Sequence, residues 1–525
     1  MKPRRTRRNA RALAAVALAA PLATFACQET APPRAPPQPA ADATPPSAPR
    51  GGPIELLLTG DDDGYLDACG CDDGLLGGLP RRKTAMRNLG VEDGHALVLS
   101  NGGLAPLRPG VAPDAPERDL DREKLLFQLQ SMVADMHYAA IALTPSELAL
   151  GRATLEWAAA SLGDACPFVA TNLVDARAAA DSTQPELKFV RSVVRTVRDR
   201  TIAVVAVIAP SRAAAVAAVD PHVKLEPMAE ALRAELARVA AQRKPWKTVV
   251  LAQADADEAK QLARDVLSLD AIVIPNPDGE DEPEEKLRRV DSTDILTTGR
   301  KGKFVVRYRF GADGGRASWK AEDVNDQLEK NGDVVVWVDS YRDLLKEKQL
   351  IQRWYGRLPD PGGVAYVGAD EGCANCHEKA WKTWQASRHA RAWATLVVQD
   401  EPPPPELKKG RLRNAIFDPD CVKCHVTGFG YASGYRGPDQ EDVHAPLVNV
   451  GCEACHGPAG DHATRASRGD TTYPGGHAPS VANGAAFALC VRCHDPDNSP
   501  SFELKNYWVG RVHGEQREAV AHGKE

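Results

Sequence analysis

Cys373-Ala-Asn-Cys376-His377, Cys421-Val-Lys-Cys424-His425, Cys452-Glu-Ala-Cys455-His456 and Cys490-Val-Arg-Cys493-His494 occupy the last third of the chain and use eight of its 12 cysteines. Each unit sets two thiols three positions apart with a histidine directly behind the second. Thiols so spaced can each add to one of the two vinyl groups of a haem, forming thioethers. The next histidine is then held beneath the iron as its proximal ligand. Tetrahedral zinc also accepts cysteine pairs, but it needs no histidine after every second one, and all four units have it. A disulfide framework leaves the histidines equally unexplained. The units therefore predict four covalently attached c-type haems, with His377, His425, His456 and His494 on the irons.

Residues 365–525 are rich in Gly, Pro and Asp and short of long apolar runs. Four large flat cofactors in roughly 160 residues would form most of the core there, as metals or disulfides staple other sparse chains. This region is therefore expected to stay unfolded without haem.

Beyond the proximal ligands, the same region holds His389, His444, His462, His477, His513 and His522. A second axial histidine closes the iron, lowers its potential and suits electron transfer, whereas an open position admits substrate. Tyr366-Val367-Gly368, Cys373 to His377, Trp381, Trp384, Ser387 and His389-Ala390 form one recognisable run. Cys421 to Gly430, Val450 to Pro458 followed by His462, and Cys490 to His494 with Ser499-Pro500 form others. Together, over residues 364–515, they resemble the tetrahaem cytochromes that accept electrons from hydroxylamine oxidoreductase, and their multihaem relatives. The resemblance implies His389, His462 and His513 as distal ligands, and one haem left five-coordinate. His444 and His477 lie in Gly/Pro-rich loops and His522 among the last residues; none of them is expected to ligate.

The chain opens with a basic stretch, Lys2 to Arg11, and an apolar run, Ala12 to Ala26. That run is too short to cross a bilayer, which needs about 20 apolar residues, and reads as an export signal. Thr24-Phe25-Ala26-Cys27 resembles a bacterial lipoprotein cleavage site, although Thr24 stands where Leu is usual; it implies lipidation at Cys27. Residues 28–53 are rich in Pro and Ala, a composition that stays extended and serves as a tether. Among the 525 residues 26% are charged and 43% hydrophobic, ordinary for globular protein. A formal net charge of −6 argues against a general nucleic-acid binder.

Between residues 54 and 320, short apolar runs alternate with helical patterns. Ile54–Thr59, Ala96–Ser100, Ala139–Leu143, Val204–Ile208, Thr248–Leu251 and Ala271–Ile274 read as buried strands. Arg122–Met136, Arg152–Leu162, Pro227–Ala241 and Ala256–Leu267 read as helices, so an α/β layered domain is expected. Leu58-Thr59-Gly60-Asp61-Asp62-Asp63-Gly64, Gly77-Gly78-Leu79-Pro80-Arg81-Arg82 and Pro167 to Asp175 stand in the order of landmarks found in calcineurin-like metallophosphoesterases. The 5′-nucleotidase branch is the most similar, which implies a β-sandwich with flanking helices. Asp61 stands at a ligand position of that family, but Asp63 replaces its first histidine. Ser100-Asn101-Gly102-Gly103, Thr144-Pro145-Ser146-Glu147, Gln253-Ala254 and Pro275-Asn276-Pro277-Asp278 replace the other ligand segments. With nearly every imidazole gone, a dinuclear metal centre is not expected. Cys69 or Cys71 is expected to pair with Cys166.

The expected order is a signal (1–26), a tether (27–53), a degenerate phosphoesterase-like domain (54–320), a helical connector (321–363) and a multihaem domain, mostly α and irregular (364–525). The leading function is electron transfer in the periplasm or outer cell envelope by a lipid-anchored carrier with redox-protein partners. The alternatives are reduction of a small nitrogen or sulfur species at a five-coordinate haem, and an active 5′-nucleotidase fused to a cytochrome.

Overall fold

The computed structural model describes residues 54–68, 74–177, 187–277, 280–284, 287–311, 317–369, 371–397, 413–438, 445–470 and 485–508. The expected signal, the tether and Cys27 lie outside these residues, as do Cys69, Cys71, His444, His477, His513 and His522.

Fourteen strands are described. In chain order they are β1 (Glu55–Thr59), β2 (Ala96–Ser100), β3 (Tyr138–Ala142), β4 (Phe168–Val169), β5 (Leu173–Asp175), β6 (Ser192–Val197) and β7 (Arg200–Ile208). Then come β8 (Val223–Leu225), β9 (Lys247–Gln253), β10 (Ala271–Ile274), β11 (Arg288–Val290), β12 (Thr293–Thr297), β13 (Phe304–Arg309) and β14 (Ser318–Asp323). One six-stranded sheet runs β14-β13-β1-β2-β3-β4 and the other β11-β12-β10-β9-β7-β6. Strands β1 to β4 are parallel in the first sheet, and β7, β9, β10 and β12 are parallel in the second.

Helices α1 (Leu79–Asn88), α2 (Pro116–Ala134), α3 (Pro145–Leu148), α4 (Arg152–Leu162), α5 (Ala213–Val219), α6 (Met228–Gln242), α7 (Ala256–Asp265) and α8 (Gly332–Glu347) accompany them. The alternating pleat assigns each strand residue to a face. Leu56, Leu58, Leu97 and Leu99 pack with Val204, Val249, Leu251 and Val273 between the sheets. Leu57, Val98, Ile141 and Val305 turn the other way, to Met86 of α1, Leu125 of α2 and Leu155 of α4. On the far side, Val205, Val250 and Ile272 meet Leu232 of α6 and Leu262 of α7. The result is an α/β/β/α sandwich. Strands buried on both faces read as unbroken apolar runs, which is why they were visible in the sequence.

The first part of the 321–363 segment, expected as a helical connector, is built into the first domain, up to Leu350. Its first residues complete β14 against β13. Helix α8 sends Val334, Tyr341 and Leu345 into the core beneath the first sheet, and Tyr341 meets Phe127 edge-on at 6.0 Å. The dense charges of α8 mask an apolar stripe of helical period, Val334, Val338, Tyr341 and Leu345.

A buried ion pair anchors the start of the domain. Asp62 accepts hydrogen bonds from Arg82 Nη2 at 2.6 Å, Arg82 Nη1 at 2.9 Å and Gln128 Nε2 at 2.6 Å. Both charged side chains are wholly buried. Asp62→Ala strands the guanidinium without its counter-charge and is expected to cost about 3–5 kcal/mol, read by urea unfolding. Asp62→Ala with Arg82→Met removes both charges and should recover most of that loss.

From Leu350 onward the helices are short. One small cluster holds this part together, built from Ile351, Trp393, Leu396, Val422, Tyr435 and Leu447.

Candidate functional site

Three of the four Cys-x-x-Cys-His units close a helical turn on their own backbone. The His377 N–H donates to Cys373 O and the His494 N–H to Cys490 O, each at 2.9 Å, while Cys452–His456 is a helix. In a helix, positions i, i+3 and i+4 share one face, so both thiols and the imidazole address the same ligand. The second unit turns more tightly, with the His425 N–H on Val422 O at 2.9 Å.

Two distal candidates meet proximal histidines from other units. The rings of His377 and His462 stand 6.0 Å apart between centroids, and those of His389 and His494 stand 6.1 Å apart. A metal–imidazole bond is about 2 Å, so two imidazoles on opposite sides of one iron put their ring centres roughly 6 Å apart. His462 thus faces the first unit, and His389 faces the fourth.

His425 is oriented by its own neighbours. Its Nδ1 lies 2.7 Å from Ala392 O and 3.2 Å from Thr395 Oγ1, which leaves Nε2 for iron. His494 Nδ1 lies 3.2 Å from Ser499 Oγ, and its ring stacks on Phe502 at 4.8 Å. Burial lowers the pKa of His425, and burial together with His494 lowers that of His389, so both favour the neutral, ligating imidazole.

The units are neighbours in space. Cys424 Sγ lies 3.8 Å from Arg492 O, joining the second unit to the fourth. Burial raises the Cys452 thiol with help from Cys373, and burial then Cys490 and Cys493 raise Cys455 to about 11. In space the units therefore neighbour one another in the order first, third, fourth, second.

The residues present fit c-type haem. All eight unit cysteines are unbridged, and the paired imidazoles stand at single-iron spacing. The helices Glu378–Gln385 and Gly460–Ser467 bury none of their residues against protein, leaving apolar and polar faces for a large cofactor.

A frame that sequence reasoning missed aligns the first and third units. The Glu453 carboxylate accepts from the N–H groups of Gly368 at 2.5 Å, Val367 at 3.1 Å and Ala459 at 2.6 Å. Its position between two haem cysteines gave no signal for that role. Gly368 itself has φ of 81°, and a Cβ there would lie 2.4 Å from the Pro446 carbonyl. Gly368→Ala should therefore destabilise this region by at least about 1–2 kcal/mol. The outcome to measure is a smaller fraction of fully haem-loaded protein, by mass spectrometry.

A second site lies in the sandwich. The loops after β1, β2, β3, β7, β9, β10 and β12 leave the carboxyl ends of parallel strands, where α/β sheets form their crevices. They line a cavity of about 440 Å³ whose walls include Asp61, Asp63, Ser146, Arg212, Gln253, Asn276 and Arg300. Nearly all the positions that resemble phosphoesterase ligand segments thus converge, but with other chemistry. Among the described residues, no three His, Cys, Asp or Glu side chains group as a metal centre. Glu147 is consumed by the N–H groups of Leu104 at 2.6 Å and Thr144 at 3.1 Å. Burial, then the Asp63 carboxyl, pushes Asp61 up to about 8. Burial also raises Asp63, against the pull of Arg300 at 2.7 Å. These residues do not fit a pair of transition metals.

Haem loops dock beside this cavity. Asp497, just past the fourth unit, bridges Lys301 at 2.7 Å and Lys303 at 2.6 Å; Asp420, just before the second, meets Lys124 at 2.5 Å. Cys166 is unbridged and buried under the first sheet, its thiol pushed up to about 12 by burial. Its expected partners, Cys69 and Cys71, are not among the described residues.

Residues 372–457 match the family described as cytochrome c554 and c-prime. Cytochrome c-554 of Nitrosomonas europaea is 37% identical over 102 residues, which are 17% of this chain and 39% of that protein, so the chain spans well under half the length of this relative. Solved structures resemble the α/β part. A 5′-nucleotidase precursor from Thermus thermophilus is 17% identical with a TM-score of 0.45, covering 64% of this chain and 68% of its own. Sulfate thiohydrolase SoxB from the same organism is 15% identical with a TM-score of 0.44, covering 57% of this chain and 62% of its own. The calcineurin-like phosphoesterase YfkN of Bacillus subtilis is 15% identical with a TM-score of 0.44, covering 56% and 98%. Residues 372–457, in the C-terminal part of the chain, are therefore similar to a c-type, iron-haem cytochrome family, and they follow a separate α/β sandwich.

Proposed function

We propose that the protein is an exported electron carrier with four c-type haems, lipid-anchored at Cys27 and working in the periplasm or outer cell envelope. The observation that carries this reading is the pair of imidazole couples at 6.0 and 6.1 Å, His377 with His462 and His389 with His494. Irons closed on both sides exchange electrons without binding substrate, and haems in contact need no catalytic side chain. Its partners are redox proteins of the envelope, not nucleic acid. The α/β domain serves as a docking body without phosphoesterase activity, in keeping with the missing imidazoles. The deciding experiment is a spectropotentiometric titration with haem stoichiometry: four haems per chain, mainly low-spin, with reversible waves. Fewer haems, or mainly high-spin iron, would sink the proposal. Release of phosphate from nucleotide monophosphates by metal-supplemented protein would refute the inactive domain.

A second reading follows from the resemblance, which implies one five-coordinate haem. A haem so open would reduce a small nitrogen or sulfur species. A high-spin electron paramagnetic resonance signal with turnover of nitrite or hydroxylamine supports it, and fully low-spin iron excludes it.

A further inference from the structure

The cavity of the α/β domain has no part in the haem chemistry, and its walls do not suit metals. Its volume of about 440 Å³ falls within the roughly 300–1,000 Å³ usual for small-molecule sites. Two arginines line it, Arg212 and Arg300. Arg300 is steadied by Asp63 at 2.7 Å, and the loop that carries it is pinned by the Lys301 N–H on Asp61 O at 2.8 Å. Arg212 closes the turn Pro210–Arg212 after β7. It pairs with no carboxylate among the described residues. Asp61 Oδ2, also in the wall, is buried without a hydrogen-bond partner, an arrangement that costs about 1–3 kcal/mol unless something answers it. Ser146, Gln253 and Asn276 add neutral polar groups around them.

Two cationic forks and one unanswered buried oxygen describe a complement: an ionised oxygen to lie against the guanidinium groups, and a hydroxyl to reach Asp61. We propose that this cavity is a metal-independent binding site for a small oxyanion that also carries a hydroxyl, held by Arg212 and Arg300 with Asp61 receiving the hydroxyl. Inorganic phosphate and small hydroxy acids share this chemistry. The lysines that follow Arg300 hold Asp497 of the fourth haem unit, so the ligand sits one loop from a haem attachment.

Calorimetric titration of the haem-loaded protein in EDTA tests the proposal, with inorganic phosphate, malate and sulfate as separate probes. Phosphate or malate should bind saturably and sulfate, which lacks a hydroxyl at neutral pH, more weakly. Saturation by phosphate alone assigns an inorganic ligand, and saturation by malate an organic one. Arg212→Gln should weaken binding about tenfold or more, while Arg243→Gln, an exposed arginine beyond α6, leaves it unchanged. Arg300→Lys keeps the charge but loses the fork, and should weaken binding with the circular dichroism spectrum intact. Absence of saturation by all three anions at millimolar concentration overturns the proposal. So does binding that EDTA abolishes, or an Arg212→Gln protein that binds as tightly as the parent.

Discussion

His462→Met should raise the potential of one haem by about 0.1–0.2 V, and His462→Ala should turn the same haem from low to high spin. The physical cause is the ligand field. Imidazole donates strongly to iron and favours the ferric state, thioether sulfur favours the ferrous state, and alanine leaves the position open. The geometry names the haem concerned, because the His462 ring stands 6.0 Å from His377, in the unit Cys373–His377. His389→Ala should act in the same way on the haem of Cys490–His494, whose histidine it faces at 6.1 Å. His222→Ala, in the sandwich, should change neither spin nor potential. Potentiometry and electron paramagnetic resonance of each variant give the answer. Unchanged low-spin signals in both His462 variants would remove His462 from the iron.

The second large effect is on folding. Protein made without haem attachment, or with all eight unit cysteines replaced by alanine, should separate into an ordered and a disordered part. The sandwich owns three apolar clusters and needs no cofactor to bury them. Among the described residues the haem region has one small cluster, and its helices Glu378–Gln385 and Gly460–Ser467 hold no fully buried residue. Without macrocycles, its apolar burial cannot offset the entropy of ordering the chain. Limited proteolysis should cut residues 364–508 on the order of 100-fold faster than in the haem-loaded protein, and leave a fragment that begins near residue 54 and ends near 350. Equal resistance of both parts in the haem-free protein would show that protein contacts alone hold the C-terminal region.

The expected haem attachments could be written from the sequence because their chemistry is local. Five consecutive residues bring both thiols and a ligand to one macrocycle, whatever the rest of the chain does. The six core strands were legible for a similar reason, since burial on both faces writes itself as a run of Val, Ile and Leu. Helix α8 was misjudged because its stripe of Val334, Val338, Tyr341 and Leu345 is spread among charges, and only the helix that packs on it reveals which face is dry.

By itself, then, the order of residues determined the kind of cofactor, the layered α/β pattern and the absence of imidazoles from the segments that resemble phosphoesterase ligand segments, and it set the expected places of covalent attachment. The tertiary structure alone decided which candidate distal histidine faces which unit, that Glu453 clamps the first unit to the third, and that Arg212 and Arg300 line one cavity with Asp61. Those relations join segments far apart in the chain. Spacing carries information only over the few residues whose backbone geometry it constrains, whereas contacts across domains are set by how whole sheets and loops pack.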